Sequence, residues 1–395
     1  MDITIYPGKL SGCIRAISSK SQAHRLLICA AFADQPTQLI CPQTNQDIEA
    51  TAECLRSLGA QIRHSEDGYI VTPAQETPKT ATLSCHESGS TLRFLLPVVG
   101  ALGVDATFVL EGRLPQRPLS PLWEEMERMG CSLSRPTENT VRCCGKLSSG
   151  TYFIDGSISS QFVTGLLLSL PLLDEPSDVI ITGQIESAPY IDMTRQALAI
   201  FGISGKSTKE AFRSPGYIQV EGDWSNAAFF LTAQSLGSNL QVSNLQADSL
   251  QGDRAVADIL PMLTLSMPTV SAADIPDLIP ILSVAAAANN GAVFTDIQRL
   301  RLKESDRVAA IISMLKNLGA AAHATENTLT VLPAKLSGGT VNSFNDHRIA
   351  MAAAIASTVC TGSVTIINAE AVNKSYPTFW AEFCRLGGHY EQYIR

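Results

Sequence analysis

Apolar positions along this chain follow two helical patterns. In the first, a helix closes on a bulky residue plus glycine and turns into an apolar strand. The examples are Leu58-Gly59-Ala60-Gln61-Ile62, Met129-Gly130-Cys131-Ser132-Leu133, Phe201-Gly202-Ile203 and Leu318-Gly319-Ala320. Glycine just past the last helical residue takes the left-handed conformation that ends a helix without a Cβ clash. Each such helix predicts a strand, a turn and a second strand. The runs Gly68-Tyr69-Ile70-Val71-Thr72-Pro73 and Thr328-Leu329-Thr330-Val331-Leu332-Pro333 fit the second strand.

The second pattern opens on a polar cluster and continues almost wholly apolar. It is present near Lys20, at Ser88-Gly89-Ser90-Thr91-Leu92-Arg93-Phe94, at Ser159-Ser160-Gln161-Phe162-Val163, at Ser225-Asn226-Ala227-Ala228-Phe229, at Ile275-Pro276-Asp277-Leu278-Ile279 and near Asp346. A helix apolar on every face is buried. Buried helices running parallel aim their polar starts at one surface, so six copies predict an α/β protein of two lobes, about three units each, with the helix starts facing a cleft. Asp223-Trp224-Ser225 is the expected crossing point, and the first dozen residues are expected to pair with the C-terminal lobe. The predicted lobes are 1–12 with 233–395, and 13–232.

Three helix starts carry basic residues where the macrodipole favours acidic ones: Lys20-Ser21-Gln22-Ala23-His24-Arg25, Lys303-Glu304-Ser305-Asp306-Arg307 and Asn345-Asp346-His347-Arg348. That placement costs helix stability unless an anion stands opposite, and a ligand bearing phosphate or carboxylate would serve. The chain of 395 residues has net charge −8, which disfavours nucleic acid as a partner and makes cations gathered at helix starts look like a focused anion site.

No basic stretch followed by an apolar core opens the sequence, and no apolar run reaches about 18 residues without polar breaks. A cytoplasmic protein with no membrane partner is therefore expected. The ten cysteines form no CxxC pair and the six histidines no metal-ligand spacing, so neither disulfides nor a metal is expected.

Several residues stand out as chemistry. Lys20, Ser21 and Arg25 offer an ammonium, a hydroxyl and a guanidinium within about a turn and a half of helix. Ser159, Ser160 and Gln161 offer donors suited to phosphate oxygens, although a serine helix cap explains Ser159 equally well. Asp277 follows Pro276 at the head of an apolar helix, where a favourable first-turn acid is the plainer reading. Glu304 lies between Lys303 and Arg307, and Arg117 is fixed between prolines in Leu114-Pro115-Gln116-Arg117-Pro118. Lys374, in Asn373-Lys374-Ser375-Tyr376-Pro377, is a weaker example. Gly205-Lys206-Ser207 imitates the end of a P-loop, but Ile200 stands where the loop's first glycine belongs.

These clusters, in this order, resemble the enolpyruvyl transferase family, and within it the branch acting on shikimate 3-phosphate. The likeness spans nearly the whole chain. Besides the segments above it is carried by Glu87 through Arg93 and by Ser187-Ala188-Pro189-Tyr190-Ile191-Asp192. It implies two lobes, each of three βαββαβ units around buried parallel helices, an inside-out α/β barrel.

The implied reaction moves the enolpyruvyl group of phosphoenolpyruvate to the 5-hydroxyl of shikimate 3-phosphate and releases phosphate, without cofactor or metal, in a monomer. Carried over by position, Ser21, Arg25, Ser159, Ser160, Ser187, Tyr190, Asp277 and Lys303 would hold shikimate 3-phosphate. Lys20, Gly89, Arg117, Gln161, Arg307, Arg348 and Lys374 would hold phosphoenolpyruvate. Asp277 would take the hydroxyl proton and Glu304 would protonate the methylene carbon, with Lys20, His347 and Lys374 assisting. Glyphosate-like inhibitors would bind beside Gly89.

Ala23, Glu87-Ser88 and Arg299 depart from the family's usual residues and put individual contacts in doubt rather than the reaction. The sister activity on UDP-N-acetylglucosamine is disfavoured because Leu114-Pro115-Gln116-Arg117 lacks the usual reactive cysteine. A non-catalytic sensor of a sugar or cyclitol phosphate is disfavoured by the acid–base set Lys20, Asp277 and Glu304.

Overall fold

The computed structural model describes residues 1–183, 185–204 and 210–393, so Gly205-Lys206-Ser207 lies outside the described residues. The chain divides into two compact units, one of Met1–Ile17 with Gly222–Arg395, the other of Ser18–Glu221. Each has its own hydrophobic core.

These boundaries differ from the expected 12/13 and 232/233. The strand Ser11–Arg15 pairs in parallel with Asn239–Ser243, which keeps residues 13–17 with the discontinuous unit. The expected second boundary would cut the helix Trp224–Ser235, whose N-cap is Asp223. The N-terminal strand Asp2–Tyr6 lies antiparallel between Val364–Ile367 and His389–Tyr393, so the two ends of the chain share one sheet.

All six polar-headed segments form buried helices. In the unit Ser18–Glu221 they are Lys20–Ala31, Gly89–Leu102 and Ser160–Ser169; in the discontinuous unit they are Trp224–Ser235, Ile279–Ala288 and His347–Ala356. Every residue of His347–Ala356 is buried, which its run of alanines permits because small side chains let neighbouring helices approach closely. Asp277 itself lies two residues before its helix begins, in a turn rather than the first helical turn.

Four of these helices cross between the two strands of a parallel pair. Gly89–Leu102 joins Thr80–His86 to Asp105–Leu110, and Ile279–Ala288 joins Thr269–Ser271 to Ala292–Thr295. Ser160–Ser169 and His347–Ala356 do the same for 151–155 with 178–182 and for 339–342 with 364–367. A parallel pair needs such a crossover, and an apolar helix is the economical one.

The four-stranded sheets repeat one plan: a parallel pair, then two antiparallel additions. The predicted glycine caps join the outer helices to those additions. Gly59 and Gly319 have φ of 105° and 88°, which admit no Cβ without strain. The described sheets stay separate, three in each unit, and none closes into a barrel of strands. No helix among the described residues is long and apolar enough to cross a membrane.

Candidate active-site residues

In the unit Ser18–Glu221 the helix starts are tied together by side chains. Ser19 caps Lys20–Ala31 by accepting from the Gln22 N–H, which sets Lys20 at the first position. Its ammonium donates to Asp47 Oδ2 at 2.8 Å, and Asp47 is held in the first turn of Gln46–Ser57.

Arg25, one turn further along and buried, is fixed by four bonds. It donates to Ser21 O at 2.6 Å, Tyr190 O at 2.9 Å, Thr194 Oγ1 at 2.8 Å and Thr164 Oγ1 at 3.2 Å. Burial lowers its guanidinium to about 10, which leaves it fully charged at neutral pH. One guanidinium thus ties the start of its own helix to the helices Ala188–Ile200 and Ser160–Ser169.

Ser159 caps Ser160–Ser169 and accepts from the Gln161 N–H. The Gln161 side chain accepts from Arg93 Nη1 at 2.7 Å and donates to Ser90 Oγ at 3.0 Å. Ser187 precedes helix Ala188–Ile200 with φ 57°, an uncommon conformation for serine. Gly89 lies so close to Arg117 that a Cβ there would stand 2.7 Å from Arg117 Nη1. Lys20, Ser21, Arg25, Gly89, Arg117, Ser159, Ser160, Gln161, Ser187 and Tyr190 therefore share this unit.

The discontinuous unit holds the remaining candidates, organised around one buried guanidinium. Arg307 donates to Asp277 Oδ1 at 2.6 Å, to Glu304 Oε2 at 2.8 Å and to Asp346 Oδ2 at 2.9 Å. Lys303 Nζ stands 3.4 Å from Asp277 Oδ1, and Arg348 Nη2 3.5 Å from Asp277 Oδ2. Arg348 also donates to Ser225 O at 2.8 Å, so the starts of the three buried helices converge here. Lys374 Nζ donates to Asn345 O at 2.8 Å, and His347 is buried as the first residue of helix His347–Ala356.

The electrostatics follow from this packing. Burial alone would push the Asp277 carboxyl up, but Lys303, Arg307 and Arg348 together outweigh it and hold the group well below the usual carboxylate range. Burial, helped by the like charges of Arg307 and Arg299, lowers the Lys303 ammonium to about 8 against the pull of Asp277.

The anions expected opposite the basic helix starts include carboxylates of the protein itself. Asp306 and Asp346 are the N-caps of Arg307–Asn317 and His347–Ala356, and Asp346 also takes Arg307 and Ser305. Acidic caps satisfy the macrodipole while the basic residues one position on point their charge elsewhere.

Sequence reasoning passed over Asp47, Asp346 and Arg93, which bond to the candidates Lys20, Arg307 and Gln161. Asp346 was legible as the acid of Asn345-Asp346-His347-Arg348. Asp47 reads in sequence only as an ordinary first-turn acid.

The sequence model of the family described as EPSP synthase (3-phosphoshikimate 1-carboxyvinyltransferase) matches residues 5–267 and 261–383. The chain belongs to this family. The 3-phosphoshikimate 1-carboxyvinyltransferase of Clostridium beijerinckii is 38% identical over 430 aligned positions, covering 99% of each chain. That of Clostridium novyi is 36% identical, covering 98% of each. Among solved structures, an EPSP synthase of Acinetobacter baumannii matches with TM-score 0.78 at 23% identity, over 99% of this chain and 100% of its own. The enolpyruvyl transferase NikO of Streptomyces tendae matches with TM-score 0.77 at 18% identity, over 99% and 98%. These two carry the fold: the protein has the enolpyruvyl transferase architecture, and as a member of the EPSP synthase family it is a transferase.

Proposed function

We propose that the chain transfers the enolpyruvyl group of phosphoenolpyruvate to the 5-hydroxyl of shikimate 3-phosphate, releasing phosphate, in the shikimate route to chorismate and the aromatic amino acids. The observation that carries the residue-level reading is the Arg307 centre, where Asp277 and Glu304 meet one guanidinium flanked by Lys303 and Arg348. Membership of the EPSP synthase family supports the reaction itself.

Two polyanionic reactants repel each other, and the cations offset that cost. Ser21, Arg25, Ser159, Ser160, Ser187, Tyr190, Asp277 and Lys303 are assigned to shikimate 3-phosphate. Lys20, Gly89, Arg117, Gln161, Arg307, Arg348 and Lys374 are assigned to phosphoenolpyruvate. Charge-assisted hydrogen bonds from guanidinium to phosphate and carboxylate are the strong class of such contacts.

The chemistry is addition followed by elimination. Asp277 is ionised at neutral pH and so able to take the 5-hydroxyl proton, but while Lys303, Arg307 and Arg348 face it its basicity is low. Anionic groups of the reactants engage those cations and relieve the depression, so basicity rises only once the site is filled. Glu304 delivers a proton to the methylene carbon, and Lys20, His347 and Lys374 stabilise charge or assist proton movement. Bringing two reactants together supplies much of the acceleration by proximity. No cofactor enters this reading.

The protein is further read as a cytoplasmic monomer and a target of glyphosate. The free thiols of all ten cysteines support a reducing compartment. The close approach of Gly89 to Arg117 supports the inhibitor assignment.

The test is phosphate release on mixing purified protein with both reactants, against controls lacking either. Release that needs both is expected. None from the folded protein, together with turnover of UDP-N-acetylglucosamine, would refute the assignment.

A further inference from the structure

His24 takes no part in the site as assigned, yet it lies between two residues that do. It is completely buried on helix Lys20–Ala31, one position before Arg25 and one turn after Lys20. Its Nδ1 lies 2.7 Å from Thr51 Oγ1 on helix Gln46–Ser57. Thr51 Oγ1 lies 2.7 Å from Thr91 Oγ1 on helix Gly89–Leu102, and Thr91 Oγ1 2.7 Å from Ser88 Oγ. Ser88 is the N-cap of that helix and accepts from the Thr91 N–H, while Thr91 also reaches the carbonyl of Asp47. The other ring nitrogen, Nε2, is buried without a hydrogen-bond partner among the described residues, and the ring meets Phe94 edge-on at 6.1 Å between centroids.

Thr91 Oγ1 has one proton, which goes to Ser88 Oγ at 2.7 Å in preference to the Asp47 carbonyl at 3.4 Å, so Thr51 must donate to Thr91 and the imidazole to Thr51. The ring proton therefore belongs on Nδ1, and the hydroxyls then run one way. His24 donates to Thr51, Thr51 to Thr91, and Thr91 to Ser88. Burial and the neighbouring cations Lys20 and Arg25 keep the imidazole neutral.

We propose that His24 is a positioning residue for the transfer reaction, a neutral imidazole that heads the Thr51–Thr91–Ser88 chain and so fixes the start of helix Gly89–Leu102 against the Lys20–Asp47 pair. The proposal rests on the reading above that Lys20 and Gly89 serve phosphoenolpyruvate. Arg25, assigned to shikimate 3-phosphate, is anchored independently by Thr164, Thr194 and Tyr190 O. The chain is therefore expected to govern one reactant and leave the other alone.

Thr51→Val breaks the chain at constant volume, and His24→Leu removes its head. Each is expected to raise KM for phosphoenolpyruvate roughly five- to tenfold, the effect of about one lost buried hydrogen bond, with KM for shikimate 3-phosphate within about twofold of wild type. His24→Asn places an amide N–H near the position of Nδ1 and should recover most of the loss. Nitrogen NMR of the wild type should show His24 neutral with its proton on Nδ1. Wild-type turnover is measured first: inactivity would sink the functional reading. With an active wild type, an unchanged KM for phosphoenolpyruvate, an equal rise in both KM values, or failure of His24→Asn to recover would overturn the positioning role alone.

Discussion

Arg307 shows how much one side chain decides in its unit. It is 1% exposed, and its planar fork meets three carboxylates that a lysine's point charge would not hold in fixed directions. Beside it, Lys303 is lowered to about 8. Since kcat/KM reports the free enzyme, its value for shikimate 3-phosphate should hold below pH 8 and decline above it as the ammonium loses its proton. Lys303→Arg keeps the charge at all these pH values, so initial-rate profiles of that variant should lack the alkaline decline. An identical decline in both would remove Lys303 from the reading. At Gly89 the limit is space rather than charge. A Cβ would fall 2.7 Å from Arg117 Nη1 and 3.0 Å from Arg93 Nη1, and flexible side chains must give way. Gly89→Ala should weaken glyphosate inhibition by about tenfold or more, since displacing a packed group costs about 1–3 kcal/mol. Inhibition titrations giving the wild-type constant would refute it.

Helices, rather than residues, set the spacing of these groups, and glycine fixes one spacing. Gly165, in the middle of Ser160–Ser169, packs so closely on Gly89–Leu102 that a Cβ would lie 2.2 Å from Arg93 O. Backbone cannot give way as a side chain can. Gly165→Ala should push the two helices apart and cost about 1–3 kcal/mol in urea unfolding. It should also disturb the Arg93–Gln161 bond that spans them. Unchanged stability would mean the helices can separate freely. This contact shows what sequence reading could reach at the scale of elements. The buried helices were legible because apolar residues cover every face, and their caps because Ser19, Ser88 and Ser159 precede them. The glycine-ended helices were legible because only glycine takes φ near 100° cheaply. Which helix lies against which was not legible: Thr51 reaching Thr91, or Arg25 reaching Thr194, depends on tertiary packing that no local pattern encodes. Asp346 was read as part of a basic cluster, because its second task, holding Arg307 across 39 positions of sequence, leaves no local trace.

At the scale of the whole molecule the chain order and the cores part company. Ser18–Glu221 is one continuous stretch with a closed hydrophobic core, whereas the other core is assembled from residues 1–17 and 222–395. Closing a core across an insertion of this length costs little more loop entropy than a shorter one, because that cost grows only with the logarithm of length. The strand pairs that hold the discontinuous unit, Asp2–Tyr6 with Val364–Ile367 and Ser11–Arg15 with Asn239–Ser243, supply the contacts that offset it. A fragment of residues 18–221 carries every strand partner of its sheets and every helix of its core. It should fold alone and unfold in one cooperative urea transition. It should also keep Arg25 in place, since Thr164, Thr194, Tyr190 and Ser21 all lie within it. A fragment without cooperative unfolding would show that its core needs the rest of the chain. A folded fragment that releases no phosphate from the two reactants would be the expected companion result, because Asp277, Glu304 and Arg307 belong to the other unit.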